Sequence, residues 1–280
     1  MGGERPKVLP DGVLQGVFRR TGFYGGNFCL DAIFSGMADR ILLWATKSPR
    51  TPPPRRLLEI AIAVESLREI YACPIILVLP YGDCSRSNRP HCVRAYIRQL
   101  EAIPADRIVL FDLHREDYLD YFRKQPLQIS TLSLWADHVR RLRPKIDLLV
   151  SPDLGRRNFV QRLAELLSTD HLCLDKTEKS NIPRTIAGRH IFLFDDEVVT
   201  GKTLKMATKQ LNGGDVASIS IGVTYAFCSD NVLSSLSRLT CVRSTAIGDL
   251  VHRRMPPYPT EILPLAPALL DIILCSLSQV

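Results

Sequence analysis

The sequence predicts an α/β protein of the doubly wound kind, with mostly parallel sheets flanked by helices, and three observations carry that expectation. Short apolar runs alternate with amphipathic stretches along most of the chain, the pattern of strand–helix units on a parallel sheet. One of those stretches, Leu57, Ile60, Ala61, Val64, Leu67 and Ile70, keeps the helical period and follows Pro52-Pro53-Pro54, where proline is compatible with a helix start. The 280 residues exceed what one ordinary core needs, and a content of 46% hydrophobic and 23% charged residues is a globular balance that excludes disorder and collagen.

In chain order, the apolar runs predict strands at 41–46, 75–79, 108–112, 148–151, 172–175, 191–195 and 218–224. The stretches between them predict helices at 55–71, 93–102, 132–142, 158–167, 203–211 and 266–277. The series breaks near 128–131, so two α/β domains are expected, 1–129 and 130–280, with the last helix having the option of packing back on the first domain. In such sheets ligands gather at the carboxyl ends of strands, and the residues just after each strand carry the functional reading.

Lys and Arg outnumber Asp and Glu 36 to 29, and the net charge of +7 favours an anionic partner. Nucleic acid is not expected, because the cations are spread along the chain and aromatics are only 7%, with no interleaved basic stripe. A membrane is not expected either: no run approaches the roughly 18 apolar residues of a span, and MGGERPKVLPD has no apolar leader core. The eight cysteines form no CxxC pair and read as reduced, mostly buried thiols of a cytoplasmic protein. Arg55, Arg56, Arg140 and Arg141 read as solvated helix surface.

The most informative stretch is Ile191-Phe192-Leu193-Phe194-Asp195-Asp196-Glu197-Val198-Val199-Thr200-Gly201-Lys202-Thr203, an apolar strand delivering two carboxylates into a loop that begins a helix. A small hydroxylated turn at a helix start offers backbone N–H groups and Thr hydroxyls to a phosphate, and adjacent carboxylates suit a sugar diol or a magnesium ion. A Walker A loop is excluded, since Asp196 stands where that motif needs its first glycine. An isolated Asp-Asp pair would read as no more than a polar strand end; here the whole arrangement resembles the phosphoribosyl-diphosphate motif of type I phosphoribosyltransferases and ribose-phosphate diphosphokinases.

Other strand ends favour the second family. Ser151-Pro152-Asp153-Leu154-Gly155-Arg156 resembles its SPDxGG diphosphate loop, Asp112-Leu113-His114 its DLH strand end, and Pro80-Tyr81-Gly82-Asp83-Cys84-Ser85-Arg86 its PYxxYAR nucleotide loop. Phe23-Tyr24-Gly25-Gly26-Asn27 lies where the family carries FSDGE. The resemblance covers roughly residues 23–275 and implies two phosphoribosyltransferase-like domains, the first on the nucleotide side and the second on the sugar-phosphate side.

Carried over by position, the resemblance implies that Asp195 and Asp196 hold ribose hydroxyls while Val199, Thr200, Gly201, Lys202 and Thr203 form the sugar-phosphate loop. Asp153, Leu154, Gly155 and Arg156 form the diphosphate loop, and His114 and Asp153 approach a Mg²⁺ ion. Phe23, Asn27, Arg86, Ser87 and His114 meet ATP, with Lys176 and Arg86 as the catalytic cations. Lys, Arg and Mg²⁺ aimed at one phosphoryl centre are what such a transfer requires of a protein.

The chain also departs from the pattern. Glu178 replaces a catalytic-loop arginine, Gly25 and Asn27 replace acids, Ser87 replaces a glutamine and Val199 replaces a third acid. Lys202 and Arg156 stand at glycine positions, and Arg157 and Arg184 are further cations that could compensate. The expected activity is Mg²⁺-dependent diphosphate transfer from ATP to the anomeric hydroxyl of ribose 5-phosphate or an analogue, in a homo-oligomer, either dimer or hexamer. The alternatives are a phosphoribosyltransferase consuming such a diphosphate and a catalytically silent regulatory homologue.

Overall fold

The computed structural model describes residues 7–8, 14–15, 17–22, 28–33, 39–45, 52–85, 87–113, 115–174, 183–248 and 260–277. The chain divides into two compact units, Met1–Gln128 and Ile129–Val280. Both are α/β, with parallel sheets and flanking helices.

The first unit opens with two short antiparallel pairs, β1 (Lys7–Val8) with β2 (Leu14–Gln15) and β3 (Val17–Gly22) with β4 (Phe28–Ile33). Its main sheet runs in the order β5 (Ile41–Trp44), β6 (Ile75–Leu79), β7 (Arg107–Phe111) and β8 (Leu127–Ile129). Every residue of β6 is buried, as a parallel strand covered on both faces requires. Helices α1 (Pro53–Ile70) and α2 (Pro90–Glu101) bring Ile60, Val64, Leu67, Ile97 and Leu100 to the core built on Ile75, Leu77 and Leu79. Both helices start with proline in the first turn, where its missing N–H costs nothing.

The second unit holds six parallel strands in the order β10 (Asp170–Cys173), β9 (Leu148–Ser151), β11 (His190–Val198), β12 (Ser218–Ala226), β13 (Val242–Gly248) and β14 (Thr260–Leu263). Helices α3 (Leu132–Arg141), α4 (Arg157–Leu167), α5 (Lys202–Asn212), α6 (Asp230–Ser237) and α7 (Leu265–Leu277) accompany them. One aromatic cluster gathers Trp135 of α3 with Phe192 and Phe194 of β11, while Phe159 of α4 stacks on Phe194 at 4.7 Å. The Trp135 indole N–H donates to Thr224 Oγ1 at 3.2 Å, so the buried ring keeps its polar atom satisfied.

The chain leaves β9 for β10 on one side and returns through β11 on the other. That reversal makes the carboxyl ends of β9 and β11 a topological switch point, where open α/β sheets form their ligand crevice.

Several expectations need correction. The strand expected at 191–195 continues to Val198, pairing with β12 as far as Ala226, so Asp195 and Asp196 lie within a strand and not in the loop after it. The strand expected at 172–175 is shifted back to Asp170–Cys173. Arg56 is not solvated surface; it is 4% exposed. Cys73, Cys84, Cys92, Cys173, Cys228, Cys241 and Cys275 are free but half-buried or exposed, because they sit at or near the margins of elements. Strands β8, β13 and β14 and helix α6 have no counterpart among the predicted elements. Among the described residues no helix is long and apolar enough to cross a membrane.

Candidate functional site

Strand alternation starts the two residues on opposite faces, Asp196 following Phe192 and Phe194 on the face that α3 and α4 cover and Asp195 following Ile191 and Leu193. Their carboxyl groups nonetheless hydrogen-bond to each other at the end of the strand. Arg156 closes the short 3₁₀ turn Leu154–Arg156 just ahead of α4 and is therefore delivered to the Asp196 side. Its Nη2 donates to Asp196 Oδ2 at 2.5 Å, with both side chains buried. The other oxygen, Asp196 Oδ1, accepts the Glu197 backbone N–H at 2.9 Å.

Asp195 Oδ1 accepts the Asp196 backbone N–H at 2.8 Å. Burial, followed by the charges of Asp196 and Asp153, holds the Asp195 carboxyl well above the usual carboxylate range. Asp153, after β9, caps its own turn by accepting the Gly155 N–H at 2.9 Å, while Ser151 Oγ donates to the Asp153 carbonyl at 2.5 Å. Three acids and one arginine thus converge where β9 and β11 end.

Beyond β11 the chain turns through Val199 and Thr200, both exposed, to Gly201, which opens α5 with φ of 72°. A side chain there would be strained, and its Cβ would stand 2.9 Å from Val232 Cγ1, so the turn needs glycine. Lys202 is exposed and Thr203 half-buried at the start of the helix, and Lys202 N donates to Thr200 Oγ1 at 3.4 Å. A helix N-terminus with small hydroxylated residues is a place for an anion.

In the first unit the loop after β6 is fastened from below. Asp83 is buried, pairs with Arg56 of α1 and accepts the Tyr96 hydroxyl at 3.4 Å; the Tyr118 hydroxyl donates to the Asp83 carbonyl at 2.9 Å. Ser87 continues this loop, and Arg115 donates to the Ser87 carbonyl and to Asn88 Oδ1, each at 3.3 Å. A small pocket beside it is lined by Ser85, Ser87, Pro90, Arg115, Tyr118 and Tyr121.

The structure brings Asp153, Arg156, Asp195 and Asp196 together, with Leu154, Gly155 and Val199 to Thr203 on the adjoining turns. Phe23, Asn27, Arg86, His114 and Lys176 lie outside the described residues. Among the described residues no cluster of three or more His, Cys, Asp or Glu is arranged to hold a metal ion. Sequence reasoning missed Arg56, Asp83 and Arg115. The last stands next to the Asp112-Leu113-His114 triplet, the signal that could have drawn attention to it.

No protein-family model matches the chain. It is 25% identical over 232 residues to a ribose-phosphate pyrophosphokinase of Bacillus caldolyticus, covering 78% of this chain and 72% of that protein. It is 28% identical over 233 residues to ribose-phosphate pyrophosphokinase 1 of Lactococcus lactis, covering 77% and 69%. A ribose-phosphate pyrophosphokinase of Thermococcus kodakarensis matches at 23% over 234 residues, 79% of this chain and 80% of the relative. The crystal structure of phosphoribosylpyrophosphate synthetase from Mycobacterium smegmatis superposes with a TM-score of 0.79 at 22% identity, covering 95% of this chain and 92% of that one. The fold is therefore the two-domain, phosphoribosyltransferase-like one.

Proposed function

Because the chain is a divergent relative of the ribose-phosphate pyrophosphokinases, we propose that it transfers a diphosphate group from ATP to the anomeric hydroxyl of ribose 5-phosphate or a close analogue. The anomeric oxygen bonds to the β-phosphorus of ATP, the bond from that phosphorus to the α–β bridging oxygen breaks, AMP leaves, and the hydroxyl proton passes to solvent or a nearby base.

The observation that carries this reading is the placement of Asp195 and Asp196 in β11, directly before the turn Thr200–Thr203 and beside the Asp153 turn. The turn at the start of α5 suits a 5-phosphate, with Lys202 adding charge. In this reading Asp195 and Asp196, assigned by resemblance, meet the sugar hydroxyls. Arg86 and Lys176, assigned by resemblance, supply positive charge to the transferring group, which is where such reactions need it. In this reading the first unit takes the nucleotide and the second the sugar phosphate.

Magnesium is held in such sites by one or two carboxylates together with substrate phosphates and water, and Asp153, half-buried at the end of β9, fits as that carboxylate. When bound with ATP the ion neutralises charge on the phosphates. Incubation of the purified protein with ATP, Mg²⁺ and ribose 5-phosphate, followed by chromatography for AMP, tests the proposal. AMP formation that depends on the sugar phosphate is expected; its absence with every pentose 5-phosphate tried overturns the reading.

A further inference from the structure

A buried ion pair is a weak source of stability, since apolar side chains of similar volume often serve as well; what it adds is direction. Arg56, in the first turn of α1, directs the loop after β6. Its guanidinium donates to the Asp83 carboxylate and to the Ala45 carbonyl, and both Arg56 and Asp83 are buried. The Tyr96 hydroxyl donates to the same carboxylate and the Tyr118 hydroxyl to the Asp83 carbonyl, so three side chains from outside the loop converge on one of its residues. From that anchor the chain makes two successive turns, the Ser85 N–H donating to the Gly82 carbonyl at 3.2 Å and the Ser87 N–H to the Cys84 carbonyl at 2.9 Å. Cys84 has a φ of 65°, a conformation that a residue other than glycine keeps only where its surroundings impose it. On the far side Arg115 holds the Ser87 carbonyl and Asn88, and is itself held by Asp117, whose Oδ1 accepts from its Nε at 2.8 Å.

We propose that Arg56 is a positioning residue for the nucleotide: acting through Asp83, it sets the loop after β6 in its binding conformation before ATP arrives. The inference rests on the proposed function, in which the first unit takes the nucleotide and this loop, by resemblance, meets it. Arg56 touches no ligand in this scheme. Asp83 stands at one of the two unspecified positions of the PYxxYAR pattern, so the anchor is a feature of this chain and not of the pattern. A loop that is formed in only a fraction of molecules lowers the apparent affinity by that fraction, and ordering it on binding costs free energy for each side chain immobilised. The Arg56 fork removes that cost because one planar guanidinium fixes two acceptors, Asp83 and the end of β5, in a single geometry. A lysine carries the same charge and has no fork.

The test is calorimetric titration of the full chain with ATP and, separately, with ribose 5-phosphate, both with Mg²⁺ and well below the melting temperature. The parent is expected to bind both. In the double variant Arg56→Met with Asp83→Leu, which buries no charge, ATP affinity should fall by about tenfold to a hundredfold while ribose 5-phosphate affinity stays as in the parent. Arg56→Lys, which keeps the charge opposite Asp83, should shift in the same direction and serves alone if the double variant fails to fold. ATP affinity within threefold of the parent in a folded variant overturns the positioning inference and leaves the proposed function standing. Equal loss of both ligands overturns it too, because a merely structural role would weaken both. A folded parent that binds no ATP overturns the underlying reading of the first unit, a separate and recognisable outcome.

Discussion

Arg56 on α1 and Asp83 in the loop after β6, 27 residues apart, form an ion pair whose side chains are only 5% and 2% exposed. The guanidinium also donates to the Ala45 carbonyl at the end of β5, so one arginine ties a helix, a strand end and a loop together. Removing one partner of a buried pair strands the other charge, at a cost of about 3–5 kcal/mol. Asp83→Ala is expected to lower stability by that amount in urea unfolding, whereas the double change Arg56→Met with Asp83→Leu, which buries no charge, should recover most of the loss. A double variant as unstable as the single one would show that the loop is held by something else.

This pair also marks the boundary of what the sequence discloses. Strand β6 and strand β9 match their expected bounds because their apolar runs stop where the strands stop. Strand β11 was cut short because Asp195, Asp196 and Glu197 look like a loop, while their backbone goes on pairing with β12 through Val198. Strand β13, Val-Arg-Ser-Thr-Ala-Ile-Gly, and helix α6, with three serines in eight residues, carry too weak a period to announce themselves. The burial of Arg56 and Arg156 is set by partners 27 and 40 residues away, which no local pattern reveals. The Asp195–Asp196 pair and the turn Thr200–Thr203 stand out in the sequence because their residues are adjacent; the pairing of Arg156 with Asp196 does not.

Gly201 and Gly222 make contrasting demands on stability and binding. Gly201 needs its positive φ of 72° at the turn into α5, and Gly201→Ala should cost about 1–2 kcal/mol while, on the proposed function, weakening ribose 5-phosphate binding in calorimetry. Gly222 lies inside β12, where a Cβ would come within 2.4 Å of Phe192 Cζ and 3.0 Å of Trp135. Gly222→Ala is expected to cost as much or more, about 1–3 kcal/mol of overpacking, in thermal unfolding. Its effect on sugar-phosphate affinity, measured well below the melting temperature, should be the smaller of the two.

Asp195 makes stability fall as pH rises. Its carboxyl holds a proton in the folded chain to a higher pH than it does unfolded, because burial and the neighbouring Asp196 and Asp153 oppose its charge. The folded state therefore binds the extra proton from about pH 4 up to its raised pKa, and stability is lost progressively as pH climbs through that window. Asp195→Asn keeps the shape and removes the charge. It should raise the melting temperature at neutral pH by about 2–4 °C for each kcal/mol relieved, and flatten this part of the pH profile. The same variant should bind ribose 5-phosphate less tightly, and a more stable protein with unchanged affinity would argue against Asp195 as a sugar contact.

His138 acts in the opposite sense. It is 3% exposed, sits edge-on to Trp135 with ring centroids 5.8 Å apart, and has Glu261 Oε1 at 4.0 Å from Nδ1. Burial lowers its pKa, Glu261 works against that shift and Arg141 adds to it. A histidine that resists protonation when folded contributes stability that is fully present above its unfolded pKa of about 6.5 and is lost as pH falls below it. Glu261→Gln removes the group that eases protonation, so the acid loss should steepen and the unfolding midpoint move to higher pH. Arg141→Gln removes a cation that hinders it, and the midpoint should move to lower pH. Acid titrations followed by tryptophan fluorescence, with Trp135 as the adjacent reporter, measure both, and shifts of the same sign would show that His138 is not the group being titrated.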